Sequence, residues 1–389
     1  MMCHREEEKP ASPETAATFL RNVVFKAIGL FVALNLVWGG GGVAAKPVER
    51  VSLYNLVVPG RLRFPFGEDP IRSYNMSLSS LEAMFASHII AGRPKSQSEY
   101  RVIIIGDSSI WGTLLKPDET LAGVLDQMGL RCGDKTMRFY NLGYPTLALA
   151  KDFLILRRAL GYDPDAIIWS LTLEAFPRDK QLTSPQVAGN RLEAERAFQL
   201  AQLDYSFGDT PSFIDLLYKN SLAGSRREIA DVLRLQFYGV MWAATGIDQF
   251  YPSSYPPALV DFNDDLKFNK WEPRLLSEKD LAFDLLEAGF KIAGDRPVLI
   301  LNEPMLISQG RNSQIRYNFY YPRWAYDQYR ELLAERAKSS GWLYLDMWDK
   351  IPPQEFTNSA IHLSAAGVKE YARLIQKDLS DSLCTLTSK

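Results

Sequence analysis

Histidine and cysteine are scarce in this sequence, since each occurs three times in 389 residues. The cysteines, Cys3, Cys132 and Cys384, are too few and too scattered for a metal site or a disulfide scaffold. We predict neither a metal nor a cofactor. The formal net charge is −2 and no polybasic run occurs, so nothing favours nucleic acid as a partner. Any chemistry that needs an imidazole has few candidates.

The N-terminal region predicts a membrane anchor. Residues 1–18 are polar and are predicted to be disordered. Residues 19–38 are mostly apolar, and as a helix they would span about 30 Å, close to the hydrocarbon thickness of a bilayer. We predict an uncleaved, single-pass anchor with the main domain outside the cytoplasm. A cleaved signal peptide remains an alternative, because Val43-Ala44-Ala45 resembles a signal-peptidase site. In an exported domain Cys132 and Cys384 could pair, which their spacing does not test.

After a predicted connector with one helix over residues 39–100, apolar strand patterns alternate with helical patterns across 101–389. This alternation predicts an α/β domain with three layers, built on a doubly wound, parallel, flavodoxin-like sheet of five strands. The predicted strands are 101–106, 139–143, 165–173, 297–301 and 342–345. Residues 176–276 carry helical patterns without a clear strand and are predicted to be a helical insertion, packed as a lid or substrate platform or around its own small core.

The first strand leads directly into the strongest chemical signal. Val102 and the three isoleucines that follow form a run typical of a buried parallel strand, which ends in Gly106-Asp107-Ser108. Functional groups collect at the carboxyl ends of strands in an open α/β sheet, so Ser108 is a candidate nucleophile. Gly-Asp-Ser is also an ordinary turn sequence, and alone it proves little.

A serine nucleophile needs a general base and donors for the oxyanion. His362 lies just before the predicted last helix, where a loop can meet the loop that follows strand 1. Gly143 leaves the predicted second strand beside Ser108, so its N–H is a candidate oxyanion donor together with the N–H of Ser108 itself. We therefore predict that Ser108 and His362 meet at one edge of the sheet.

The arrangement of Ser108, Gly143 and His362 resembles that of the SGNH (GDSL-type) hydrolase superfamily. The resemblance covers roughly residues 100–175 and 295–380. Gly106-Asp107-Ser108 resembles its nucleophile block, Gly143 its oxyanion glycine, and His362 its catalytic histidine. With the N-terminal anchor, the chain looks more like the membrane-associated branch that contains alginate acetylation proteins and the D-alanyl transfer protein of teichoic acids. The resemblance implies hydrolysis or transfer of acyl esters on a cell-surface polymer.

Two positions depart from that family pattern. The family places an aspartate three residues before the histidine, where this chain has Ser359, and Asn358 precedes it. Asn358 could orient the imidazole without stabilising its charge, or an upstream carboxylate could fold back. The family's Gly-x-Asn-Asp block after strand 3 is also missing, and in its place Thr172 could donate to an oxyanion and Glu174 could bind substrate.

Further candidates for substrate binding lie at the same predicted edge. They are Trp111 beside the nucleophile, Asn302 at the exit of strand 4, which is also a rival oxyanion donor, and Arg316 in the aromatic loop that follows. That loop could hold sugar rings or an anionic polymer, or it could be packing and solvated charge.

Two classes of function remain open. The first is a membrane-anchored, extracytoplasmic serine esterase or O-acyltransferase, whose partners would be an acylated polysaccharide or a small ester and a membrane-bound acyltransferase. The second is a binding or assembly protein for exopolysaccharide that keeps the fold and has lost turnover. The missing aspartate motivates the second.

Overall fold

A computed structural model of the chain describes residues 13–40, 53–58, 80–86, 88–208, 214, 218, 221–247 and 254–384. Residues 1–12 of the predicted tail, most of the connector and parts of the predicted insertion lie outside these residues, whereas residues 13–18 of that tail are helical. The chain divides into two compact units. One comprises Met1–Val51 and Asp209–Arg234, and the other comprises Ser52–Gly208 and Leu235–Lys389.

The unit that contains the N-terminus begins with α1, Pro13–Gly40. Its segment Ala17–Val37 covers 21 residues with a mean hydropathy of 1.7, and none of it is buried. One N-terminal helix is therefore long and apolar enough to cross a membrane, a property that signal sequences share.

The other unit is built on a six-stranded sheet in the order β2-β3-β1-β4-β5-β6. The strands are β1 Glu99–Gly106, β2 Arg131–Cys132, β3 Lys135–Gly143, β4 Ala166–Leu171, β5 Val298–Asn302 and β6 Leu343–Asp346. All neighbours pair in parallel except β2 and β3. The predicted α/β class and the five parallel strands are thus confirmed, and the predicted total of five is wrong by the antiparallel edge strand β2.

The remaining helices come in chain order. They are α2 Leu53–Val57, α3 Leu81–Ala86, α4 Ile89–Gly92, α5 Ser108–Trp111, α6 Leu121–Gln127, α7 Leu149–Ala159, α8 Pro185–Gly189, α9 Arg191–Leu200, α10 Arg226–Thr245, α11 Phe283–Ala293, α12 Arg323–Ser340 and α13 Ala365–Cys384. Ser364 caps α13 as its position predicts, because its hydroxyl accepts the N–H of Gly367 at 3.0 Å.

The core forms a layer on each face of the sheet because side chains alternate along the strands. In β1, Ile103 and Ile105 belong to one buried cluster and Val102 and Ile104 to the other, and all four are fully buried. This explains why the strand has a continuous apolar run instead of an alternating pattern.

Cys132 in β2 and Cys384 at the end of α13 form a disulfide, with their Cα atoms 5.4 Å apart. The pairing that the sequence left open is therefore confirmed. It ties the antiparallel edge of the sheet to the last helix.

Candidate active site

Ser108 is the first residue of α5, directly beyond the carboxyl end of β1. Asp107 precedes it as the helix cap, and its carboxylate accepts the N–H of Ser109 at 2.7 Å. The first N–H groups of a helix have no intrahelical acceptor, so the N–H of Ser108 points out of the helix start. The turn therefore presents the Ser108 hydroxyl and N–H together at the sheet edge.

His362 meets Ser108 across 254 positions of sequence, with Nε2 lying 2.9 Å from Ser108 Oγ. On the other side of the ring, Nδ1 lies 3.1 Å from Oδ1 of Asn358. Because an amide oxygen can only accept, Nδ1 carries the proton and Nε2 is free to accept the hydroxyl proton of Ser108. The main chain of His362 is also fixed, since its carbonyl accepts the N–H of Thr357 at 2.8 Å.

Burial lowers the pKa of His362 below its ordinary value of 6.5, and the negative charge of Asp107 raises it in part. The neutral imidazole, which is the form that can act as a base, is therefore maintained to a lower pH. Asn358 is exposed and uncharged, so it orients the ring without adding a charge.

The structure does not fold an upstream carboxylate onto His362 among the described residues. Glu355 accepts the hydroxyl of Ser364 at the start of α13. Asp346 accepts hydrogen bonds from Asn302 and Arg330, and Asp349 forms an ion pair with Lys350. The group that orients His362 is therefore Asn358.

Gly143 lies beside the turn that carries Ser108, and its N–H, which the sequence predicts as an oxyanion donor, has a partner within the protein. Its N–H donates to the side-chain oxygen of Asn141 at 3.0 Å. A Cβ atom at Gly143 would lie 2.4 Å from the backbone nitrogen of Trp111 and 2.7 Å from the carbonyl carbon of Ile110. Glycine is therefore required here because α5 packs directly on the end of β3.

Thr172 and Glu174, the residues predicted to donate to an oxyanion and to bind substrate, both have partners within the protein. Thr172 is fully buried and its hydroxyl donates to the Tyr321 hydroxyl at 2.9 Å, so it is not placed to donate to an oxyanion. Glu174 forms an ion pair with Lys180 and accepts a hydrogen bond from Asn269 at 3.0 Å.

Asn302 is buried within the sheet edge and bonds to its neighbours there. Its amide donates to Asp346 at 2.8 Å, and its oxygen accepts the Tyr329 hydroxyl at 3.2 Å. Both ends of the Asn302 side-chain amide therefore have partners within the protein. No contact of Asn302 supports its predicted roles in substrate binding or as an oxyanion donor.

Arg316 is 7 % exposed, and its guanidinium donates to main-chain carbonyls. The acceptors are the carbonyls of Asp265, Lys267, Asn318 and Phe319. It therefore fastens two loops together instead of reaching a substrate. Trp111 remains a candidate, since it is half-buried on α5 three residues after Ser108, with its ring 6.3 Å from that of Tyr144.

Two buried ionisable residues beside the site were not predicted. Lys151 is fully buried in α7, and its ammonium donates to the carbonyls of Gly106 and Tyr144, both at 2.7 Å. It also forms an ion pair with Asp152 at 2.9 Å. Lys151 thus joins the ends of β1 and β3, the two strands that flank the nucleophile turn.

The second is Glu303, which follows β5 and is 2 % exposed. The apolar run before Glu303 predicts that this residue follows a strand. The burial of its carboxyl group cannot be predicted from that run, because it depends on helices that are distant in sequence and pack on the sheet. In the part of the chain that the structure describes, no group of three or more His, Cys, Asp and Glu residues could hold a metal ion.

No protein-family model and no curated protein matches the chain. Among solved structures, it is similar to a carbohydrate acetylesterase family member from Sinorhizobium meliloti, at 12 % identity and a TM-score of 0.33, covering 73 % of this chain and 98 % of that one. It is also similar to a member of the lipolytic protein G-D-S-L family from Veillonella parvula, at 10 % identity and a TM-score of 0.34, covering 71 % and 96 %. A third is an aryl esterase from M. smegmatis, at 12 % identity and a TM-score of 0.33, covering 73 % and 99 %. These values are too low to transfer an activity or a substrate.

The order of the parallel strands agrees with the predicted flavodoxin-like sheet. The five parallel strands follow the flavodoxin-like order, in which the first strand along the chain lies between the second and the third. Ser108 follows the first of these strands, and His362 precedes the last helix. The larger unit therefore has a flavodoxin-like α/β fold with a serine and a histidine in hydrogen-bond contact at the carboxyl edge of its sheet.

Proposed function

We propose that the chain is a serine esterase or O-acyltransferase that acts on carboxylic esters. The observation that carries the proposal is the 2.9 Å contact between Ser108 Oγ and His362 Nε2, with Asn358 on the opposite ring nitrogen. A nucleophile, a base within hydrogen-bond reach and a third group that orients the base are the parts that acyl transfer through serine requires.

In the first half of the reaction, Ser108 Oγ attacks the carbonyl carbon of the ester while His362 Nε2 takes the hydroxyl proton. The tetrahedral intermediate then breaks its bond to the leaving alcohol, which receives that proton from His362. The product is an acyl-Ser108 ester. In the second half His362 removes a proton from water or from an acceptor hydroxyl, which attacks the acyl group and regenerates Ser108.

The oxyanion of each tetrahedral intermediate needs fixed donors. The N–H of Ser108 is the first candidate, because it starts α5 and has no acceptor within its own helix. Gly143 is held by Asn141 in the structure, so a second donor would require the Gly143 N–H to be shared or released when substrate binds.

We further propose that the enzyme is anchored by α1 and works outside the cytoplasm on an acylated cell-surface polysaccharide. The length and hydropathy of α1 support the anchor, and a cleaved signal peptide remains the alternative. The Cys132–Cys384 disulfide supports an oxidising compartment. A membrane-bound acyltransferase that supplies acyl groups would be the partner if the reaction is transfer.

Fluorophosphonate labelling of the purified full chain tests the proposed chemistry. We expect the wild-type protein and the remote Ser98→Ala variant to be labelled, and Ser108→Ala to remain unlabelled with an unchanged circular dichroism spectrum. Well-folded wild-type protein that takes no label would contradict the proposal.

The second candidate is a polysaccharide-binding protein without turnover, and Asn358 favours it. An asparagine in place of the usual carboxylate provides no negative charge to stabilise the imidazolium that forms during acyl transfer. This candidate predicts polysaccharide binding that is equal in wild-type protein and Ser108→Ala. Measurable release of acetate from an acetylated polymer by the wild-type protein alone would exclude it.

A further inference from the structure

Glu303 is a carboxyl group enclosed directly behind the nucleophile turn. It follows β5, the second strand away from β1 in the sheet, and is 2 % exposed. Its Oε2 accepts the hydroxyl of Ser109 at 2.5 Å and lies 3.4 Å from the hydroxyl of Ser170 in β4. One carboxyl thus contacts both the residue after the nucleophile and the neighbouring strand.

Ser109 is consequently held at two points. Its N–H donates to Asp107 and its hydroxyl donates to Glu303. Ser108 lies between Asp107 and Ser109 in sequence, so these bonds restrict rotation of the first turn of α5. The direction of Ser108 Oγ depends on that rotation.

The surroundings favour the uncharged form of Glu303. Burial raises its pKa well above 4.5, and the nearby negative charge of Asp107 raises it further, while the hydrogen bonds from Ser109 and Ser170 act in the opposite direction. The other ionisable groups that face Glu303 are Asp152, Tyr320, Tyr321, Tyr326 and Tyr371.

The second carboxyl oxygen, Oε1, is buried without a hydrogen-bond partner among the described residues. A cavity of about 10 Å³ is bordered by Glu303, Ser109 and Tyr371. This is about the volume that a single water molecule requires.

We propose that Glu303 is a positioning residue, which accepts the Ser109 hydroxyl and thereby holds the turn that carries Ser108 in register with His362. It touches neither the ester nor the reacting atoms. The inference rests on the proposed acyl chemistry of Ser108.

The test compares four variants of the full chain in hydrolysis of p-nitrophenyl acetate. Glu303→Leu and Ser109→Ala each remove one side of the contact, and a displaced nucleophile should lower kcat by about 10- to 100-fold. KM should stay within about twofold, because neither residue binds the ester. The double variant Glu303→Leu/Ser109→Ala should lose no more than the worse single variant, since both act through one contact.

Glu303→Gln is the matched rescue. Its amide oxygen can still accept the Ser109 hydroxyl, so kcat should stay within about threefold of the wild type. A kcat for Ser109→Ala equal to that of the wild type, or independent losses in the double variant, would overturn the proposal while leaving the esterase function intact. Ser109→Ala is a small change, so it also decides the matter if Glu303→Leu fails to fold.

If the wild-type protein hydrolyses no ester, the proposed function fails and a measurement without substrate decides the inference. Titration of the His362 imidazole by NMR, assigned by its loss in His362→Asn, should give the same pKa in the wild type and in Glu303→Gln. Replacement of an ionised Glu303 would lower that pKa. A broadened or shifted His362 signal in Ser109→Ala is expected, and an unchanged one would contradict the positioning role.

Discussion

Asn358→Asp places a negative charge at the position that now accepts the Nδ1–H of His362 at 3.1 Å. The substitution preserves the size and the accepting oxygen of the side chain, so it changes charge and little else. It also replaces the orienting amide with the carboxylate that serine hydrolases commonly use at this point.

The expected size follows from distance and exposure. An opposite charge within about 4–6 Å raises the pKa of a neighbouring group by about 1–3 units. Asn358 is exposed, so solvent screens the new charge and we expect the low end of that range. A shift of about one unit corresponds to about 1.4 kcal/mol of added stabilisation of the imidazolium, or about tenfold in rate if the transition state carries the full charge.

The direction of the pH effect follows from the proposed role of His362 as a base. In the wild type, burial keeps its pKa below 6.5, so the acid limb of kcat/KM should lie below pH 6.5. In Asn358→Asp the limb should move to higher pH by about one unit, while the plateau above it rises by up to about tenfold. The variant gains at neutral and alkaline pH and loses part of that gain at acid pH.

The assay is the pH dependence of p-nitrophenyl acetate hydrolysis, with Gln354→Glu as the control. Gln354 is exposed four residues before Asn358, so its variant adds the same net charge and leaves the Asn358 amide in place. An acid limb that stays in place in Asn358→Asp, or moves equally in both variants, would refute the assignment of Asn358 as the residue that orients His362.

Four further changes test the site and the fold that carries it. Asp107→Asn keeps an acceptor for the α5 cap and removes the charge that raises the pKa of His362, so the acid limb of kcat/KM should move to lower pH. Lys151→Met should lower the free energy of unfolding, measured in urea, by about 3–5 kcal/mol, because it leaves the buried carboxylate of Asp152 without its ion-pair partner. A loss below about 1 kcal/mol would contradict the role of Lys151 in joining the ends of β1 and β3. Cys132→Ser removes the disulfide to Cys384 and should lower the free energy of unfolding by about 2–5 kcal/mol. Reduction of the wild-type protein should lower it by the same amount. Thr172→Val should change kcat by less than about twofold, whereas a loss of about 10²-fold would restore its oxyanion role.

The strands that carry the site could be predicted because each is marked by a short apolar run of consecutive residues. The β-branched run of β1 and the glycine that ends it suffice to place a strand and its exit. β2 was missed because its two residues are too short for any pattern, and its pairing depends on the turn before β3. The sequence also suggests which strand ends share an edge, since parallel strands joined by helices point the same way.

Side-chain partners at that edge were harder to predict, because each depends on residues distant in sequence or on a rotamer. The amide of Asn141 can turn toward solvent or toward Gly143, and only the folded backbone decides between these directions. Arg316 looked like a cation for a polymer, but carbonyls from two loops surround it. Lys151 lies on a helical pattern where a lysine normally faces water, and its burial follows from two strand ends that both present carbonyls.

The same structure suggests how the site works without the usual carboxylate beside the histidine. Asp107 lies on the nucleophile side, and its charge partly offsets the effect of burial on the pKa of His362. A negative charge there can stabilise the imidazolium from across the site, while Asn358 fixes the ring from the exposed side. If Glu303 were also ionised, two negative charges would lie close together behind Ser108, which is costly in a buried setting. Asn358 therefore orients the imidazole, Asp107 lies close enough to affect its pKa, and Glu303 holds the turn that carries Ser108.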